Sequence, residues 1–238
     1  MKNFLIYALL AITYISCDNS KKIKLTKLEG SPPYLNAKIS TASITPDNET
    51  EYVFSFDISN YELGAQTKND IESQLANSAK GQHIHFIVNN GPYSAHYTNN
   101  FKKKLEKDNN VILAFLSRSY HESVKNPNAF ILTQIGENKI DLNKEFLFYS
   151  RPKGIYKGKD TEKLLLDFYL INTTISPNGN KVKATINDAE FIITEWAPYY
   201  LEGLSKGEVK IKLELINSDG KLVDSPFNPS VRTVILEK

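Results

Sequence analysis

The chain has 238 residues, 41% of them hydrophobic and 24% charged, a globular balance that excludes a disordered tail or a collagen-like fibre. Twenty-nine basic and 27 acidic residues leave a formal charge of +2, which excludes an electrostatic footprint for nucleic acid. A single cysteine excludes intramolecular disulfides and cysteine-rich zinc sites, and thirteen Tyr with twelve Phe favour strands over helices.

Lys2 gives a short positive start, and Phe4 to Ile15 is almost wholly apolar. About twelve residues are too few for an ordinary membrane span and suit a signal-peptide core. Cys17 follows directly after Ile15-Ser16, so the stretch resembles the lipobox of bacterial lipoproteins, with Tyr14 where Leu is usual. That resemblance implies a signal peptide over 1–17, a lipid on Cys17, and an exported protein anchored to the periplasmic or cell-surface side of a bacterial membrane. Residues 18–34 are polar and lysine-rich and read as a flexible tether. No later stretch reaches about 18 uncharged apolar residues; Leu164 to Ile175 is interrupted by Asp167.

The remainder compares with itself. Val53 to Asn60 lies over Leu165 to Asn172, and His83 to Asn89 over Lys181 to Asn187. Val111, Leu113 and Phe115 lie over Val209, Ile211 and Leu213, and Asn126-Pro127 over Asn228-Pro229. The order is kept and only loop lengths change, which favours duplication. Within each unit the period is two: Val209, Ile211, Leu213 and Leu215 alternate with Lys210, Lys212 and Glu214, as in a strand with one wet face. The pattern predicts an all-β fold of two tandem related antiparallel β-sandwich (Ig-like) repeats, 35–142 and 145–238, packed together. One short helix is expected over Thr67 to Ser78, with Ile71 and Leu75 on one face and Asn69 as its cap. Ser119-x-x-Glu122 reads as a capping box.

All four histidines, His83, His85, His96 and His121, fall in the first unit. His83 and His85 are two apart on a strand, so both rings leave the same face, roughly 6.5–7 Å apart at the backbone. That spacing suits two imidazoles on one copper or zinc ion, and His96, returning across the Asn89–Pro92 turn, makes His83/His85/His96 the expected metal set. The same alternation sends Ile84, Phe86 and Val88 to the core and the imidazoles to an outer face or groove. The plainer reading is a wet strand face with hydrogen bonds to Tyr93 or Tyr97. Gly81-Gln82-His83-Ile84-His85 also resembles the copper strand of copper–zinc superoxide dismutase and the first cupin motif. Val88 and Asn89 stand where the cupin glutamate belongs, and neither activity carries over.

Three Arg stand against 26 Lys. Arg118 and Arg151 each end a strand run beside hydroxyls, and a guanidinium fork grips carboxylate or phosphate in two places. With His121 they form a candidate site for an anionic group or peptide, Tyr93 and Tyr97 as walls; the alternative is a structural brace, an Arg paired with a local carboxylate such as Glu122 or Asp160. Arg232 reads as a surface residue. Trp196 with Tyr199 and Tyr200 reads as a plug between packed sheets or a stacking platform. His121-Glu122-Ser123-Val124-Lys125 begins like a helical zinc-protease motif, but Lys125 stands at the second histidine position. No nucleophile elbow, phosphate-binding glycine loop or dinucleotide fingerprint occurs.

Taken together, Gly81 to His85, Gly91 to Tyr97, Leu116 to Asn126 and Tyr149 to Gly154 resemble a family of Gram-negative bacterial lipoproteins that carry the label phosphopeptide-binding protein. The resemblance implies an extracytoplasmic binding protein rather than an enzyme. Three readings stand at this point: an anion- or peptide-binding module, a copper or zinc protein, and a structural envelope component with no small ligand.

Overall fold

The computed structural model describes residues 22–106, 108–137 and 139–237; the signal segment and Cys17 lie outside the described residues. The strands in chain order are β1 (Lys24–Lys27), β2 (Lys38–Pro46), β3 (Glu51–Ser59), β4 (His83–Val88), β5 (Ser94–His96), β6 (Asn100–Lys104), β7 (Asn109–Ser117) and β8 (Phe130–Gly136). They continue as β9 (Phe146–Arg151), β10 (Ile155–Tyr156), β11 (Lys163–Ile171), β12 (Lys181–Ile186), β13 (Ala189–Ile193), β14 (Tyr199–Glu202), β15 (Gly207–Ile216) and β16 (Ser230–Leu236). Two 3-10 turns, Asp70–Ser73 and Gly158–Thr161, are the helical pieces among the described residues, none of which forms a helix long and apolar enough to cross a membrane.

The strands form four sheets in the orders β2-β3-β6, β5-β4-β7-β8, β1-β14-β11-β9 and β10-β16-β15-β12-β13. Every pairing is antiparallel except the short β10–β16 contact. Three apolar clusters fill the gaps between successive sheets. Phe54, Phe56, Ile84, Phe86, Ile112 and Leu116 lie between the first and second sheets. Ile87, Leu113, Phe115, Phe148, Tyr169 and Ile171 lie between the second and third. Leu166, Phe168, Ala184, Ile186, Leu213 and Leu215 lie between the third and fourth. The result is a β-sandwich stack of four layers with three cores.

This layering decides which strands alternate. β12 keeps a buried/part-buried alternation because one face meets solvent, whereas every residue of β9 is buried. β7 and β11 are buried beyond their first residues. They belong to the two inner sheets and are covered on both faces. The expectation that His83 and His85 sit on an outer face or groove is corrected for the same reason: β4 is an inner strand, and the third layer covers its second face.

Two further expectations change. The tether over 18–34 is folded across its described part: β1 pairs with β14, and Leu28 is buried with its N–H donating to the Pro198 carbonyl at 2.9 Å. The helix over Thr67 to Ser78 shrinks to the 3-10 turn Asp70–Ser73. Asn69 still caps it, accepting from the Ile71 N–H at 3.1 Å, and Ile71 and Leu75 still turn inward, packing with Leu28, Tyr120 and Leu165.

Candidate functional site

The chemistry-bearing side chains gather between the second and third layers, where polar residues interrupt the apolar gap. β4 supplies His83 and His85 on one face, as strand parity requires. Behind them Gly81 holds φ +81°, and an added Cβ would fall 2.2 Å from the Gly64 carbonyl oxygen, so only glycine fits. Its own carbonyl oxygen lies 2.8 Å from His83 Nδ1. A carbonyl only accepts, so His83 carries its proton on Nδ1 and turns the Nε2 lone pair inward.

Between β7 and β8 the expected capping box is a tight turn instead. The Arg118 N–H donates to the Glu122 carbonyl at 2.9 Å and the His121 N–H to the Arg118 carbonyl at 2.8 Å. His121 sits at φ 70°, a left-handed conformation uncommon for a side-chain-bearing residue. The turn delivers its ring to the same point. His83 Nε2 lies 3.0 Å from His85 Nε2 and 3.1 Å from His121 Nδ1, and one ligating atom from each of the three falls within 4.8 Å of the others. Two nitrogens on one tetrahedral zinc, bonded at 2.0–2.1 Å, stand about 3.3 Å apart. His83 and His85 are fully buried; His121 is the partly exposed member.

The surroundings orient these rings. Ser150 Oγ, on β9, lies 3.2 Å from His85 Nδ1, and Ser117 Oγ lies 3.2 Å from His85 Nε2. Tyr93 stacks on His85 with ring centroids 3.5 Å apart and planes 12° apart, and its hydroxyl is 3.2 Å from His121 Nδ1. Tyr97 flanks His83 at 5.0 Å between ring centres and hydrogen-bonds Ser78 Oγ at 2.7 Å.

Electrostatics keep the imidazoles neutral. Burial pushes His83 down to about 4; its Gly81 bond opposes this, and Arg151 and Lys153 add to it. Burial likewise holds His85 and His121 well below the ordinary histidine range, with neighbouring cations adding to it. At neutral pH all three offer lone pairs. Burial lowers Lys153 to about 8, and Arg151, Arg232 and Lys103 lower it further. Burial raises the Tyr93 phenol well above its ordinary value.

The residues expected from sequence separate into two groups. His83, His85, His121, Tyr93, Tyr97 and Arg151 come together; His96 and Arg118 do not. His96 pairs with Ile84 across β5–β4 and therefore shares that residue's face, turned away from His83 and His85. It stacks on Phe101 at 3.4 Å and meets Ser94 Oγ at 2.8 Å. His121 takes the place expected of His96.

Arg118 is the brace. It is buried, pairs with Glu122 at 2.9 Å, and donates to the carbonyls of Ser123 and Pro32. Arg232 is no free surface residue, since its Nη2 donates to the Asn90 and Gly91 carbonyls at 3.0 and 2.7 Å and its guanidinium covers the Tyr149 ring. Trp196 donates to the Phe168 carbonyl at 3.0 Å and meets Tyr169 edge-on, packing against the second and third cores as a plug.

Ser117, Ser150 and Lys153 escaped the sequence reading. The available signal was a serine inside the apolar run Phe146 to Arg151: a polar residue there needs a partner. Asp167, fully buried on β11, also escaped it; its carboxylate accepts from the Ser123 N–H at 3.0 Å and pairs with Lys125, tying the β7–β8 loop to the third layer.

No family model matches the sequence, and no curated protein matches it. Among solved structures, the fibronectin(III)-like modules of Clostridium thermocellum CbhA align over 84% of this chain and 94% of theirs, at 12% identity and a TM-score of 0.31. The central fibronectin-III array of RIM-binding protein aligns over 85% of this chain and 70% of its own, at 9% identity and a TM-score of 0.27. The chicken CNTN1 FN1-FN3 domains align over 88% and 70%, at 10% identity and a TM-score of 0.26.

Proposed function

We propose that this chain is an exported, lipid-anchored metal-binding protein that holds one copper or zinc ion on His83, His85 and His121. The carrying observation is the convergence of three neutral imidazole nitrogens at 3.0 and 3.1 Å inside a mostly sealed gap. Nδ1 of His83 and of His85 is anchored outward, on Gly81 and Ser150, in the manner of a supported metal ligand. An imidazole donor set suits copper or zinc. The lipid anchor is supported by the segment from Lys2 to Cys17.

Metal analysis of protein purified without chelator or histidine tag tests the reading. About one equivalent is expected, with His121→Ala weakening affinity at least about tenfold and His96→Ala leaving it unchanged. A stoichiometry near zero after zinc and copper titration ends the proposal.

A second reading keeps an anionic ligand, such as the phosphopeptide implied by the family resemblance, and moves it away from Arg118. Arg151, Lys153 and Arg232 have no carboxylate within ion-pair distance among the described residues. A groove of about 500 Å³ lined by Asn90 to Pro92, Lys153 and Arg232 lies beside them. Phosphate or a phosphopeptide should then raise the melting temperature of the parent and not of Lys153→Gln; equal shifts in both, or none, remove this reading.

We also read the halves as copies of one sandwich. Setting aside β1 and β10, both halves place their seven strands in the same two orders, first-second-fifth and fourth-third-sixth-seventh. Matched asparagines reinforce this: Asn60 and Asn172 have φ 54° and 55°, and Asn89 and Asn187 have φ 49° and 50°. Asn89 and Asn187 each accept a backbone N–H from the strand paired alongside, Val111 and Lys210. Related chains whose halves differ in strand order would overturn the duplication.

A further inference from the structure

The hydroxyl of Tyr93 reaches the same nitrogen that joins His121 to His83. From His85 Nε2 through His83 Nε2 and His121 Nδ1 to Tyr93 Oη, successive atoms stand 3.0, 3.1 and 3.2 Å apart. Each step is close to the edge of about 3.3 Å that separates two donors on one tetrahedral ion. The Tyr93 oxygen thus stands at the donor-to-donor spacing of a shared ion from His121, beside the three nitrogens already grouped.

The phenol is also fixed in place. Its ring stacks on His85, the Lys153 ammonium lies 4.0 Å and the Arg151 guanidinium 5.3 Å from its centroid, and Lys153 donates to the Tyr93 carbonyl at 2.6 Å. Neither cation has a carboxylate within ion-pair distance among the described residues. Beside a bound divalent ion these two charges are repulsive unless an anion sits between them. The buried Asp167 carboxylate also acts on Arg151 but is engaged by the Ser123 N–H and Lys125; a phenolate at Tyr93 would add an anion on the ring that both cations cover.

We infer that Tyr93 is the fourth ligand of the metal centre, its phenolate oxygen completing a three-nitrogen, one-oxygen set with His83, His85 and His121. The inference rests on the metal reading proposed above. Binding breaks the Tyr93 O–H bond, releases the proton to water and forms the oxygen–metal bond, with no change in oxidation state. Arg151 and Lys153 then act as positioning residues that offset the phenolate charge. A mixed nitrogen and oxygen set accommodates copper(II), which makes that ion the probe.

The full mature chain, loaded with one equivalent of copper(II), is read by visible absorption and resonance Raman spectroscopy. An intense phenolate-to-copper charge-transfer band is expected, with phenolate ring modes enhanced on excitation into it. Tyr93→Phe should keep one copper on the three histidines, lose the band, and bind copper at least about tenfold more weakly. Copper bound to the parent without such a band overturns the Tyr93 assignment and leaves the metal reading standing. Failure of the parent to bind either copper or zinc overturns both. The parent spectrum reports the ligand directly, so the outcome does not depend on Tyr93→Phe folding.

Discussion

His96 shows how a histidine is diverted from chemistry. Its ring lies flat on Phe101, and burial, helped by Lys103 and His83, pushes it down to about 4 from 6.5. The folded chain therefore takes up this proton later than the unfolded chain does. Its contribution to stability is complete above about pH 6.5 and is lost as pH falls towards 4. Thermal denaturation of His96→Gln should show a smaller loss of melting temperature across that window than the parent; equal losses would sink the idea. The sequence places His96 after a turn, but not on a face, because the face depends on the hairpin register that pairs it with Ile84. His121 is opaque for a related reason: its direction comes from a left-handed φ inside a tight turn. Of the two carboxylates the sequence offers for such a brace, Glu122 pairs with Arg118, four residues away and close enough to meet locally, whereas Asp160 makes no ion pair with an arginine among the described residues.

β7 displays the sign of double burial most openly. Val111 to Leu116 runs without a polar residue, and such a run marks a strand covered on both faces. β4 hides the same status, because His83 and His85 mimic the wet half of an alternating strand. The layer that covers them is joined through Phe115, which stacks on Tyr169 at 4.8 Å and meets the His85 ring edge-on at 5.1 Å. Phe115→Ala should cost about 3–5 kcal/mol and move a single unfolding transition, because the cavity opens between layers from both halves. Two calorimetric transitions, of which only one shifts, would show that the sheets melt independently. β1 carried no legible signal: Lys24 to Lys27 is polar, and its pairing with β14 is dictated by a partner more than 170 residues away. The helix expected over Thr67 to Ser78 forms only as the turn Asp70–Ser73. Side chains there compete for the backbone, with Gln66 donating to the Ser78 and Ala79 carbonyls and Ser73 to that of Asp70.

The all-β class and most strands followed from period two, aromatic content and turn residues. What did not follow was which faces meet. The gap between the second and third layers changes character along its length, from Phe115, Phe148 and Ile171 to the imidazoles, Ser117, Ser150 and Arg151. A reading by hydrophobicity alone assigns that second stretch to solvent. The placement of β1 has a mechanical corollary. Lys24 enters the third sheet only seven positions after Cys17, and seven residues fully drawn out reach about 25 Å. A chain acylated at Cys17 would ride on a short leash, with the β1 edge nearest the lipid headgroups and little freedom to patrol the envelope. Ions or ligands would have to come to it at the bilayer surface.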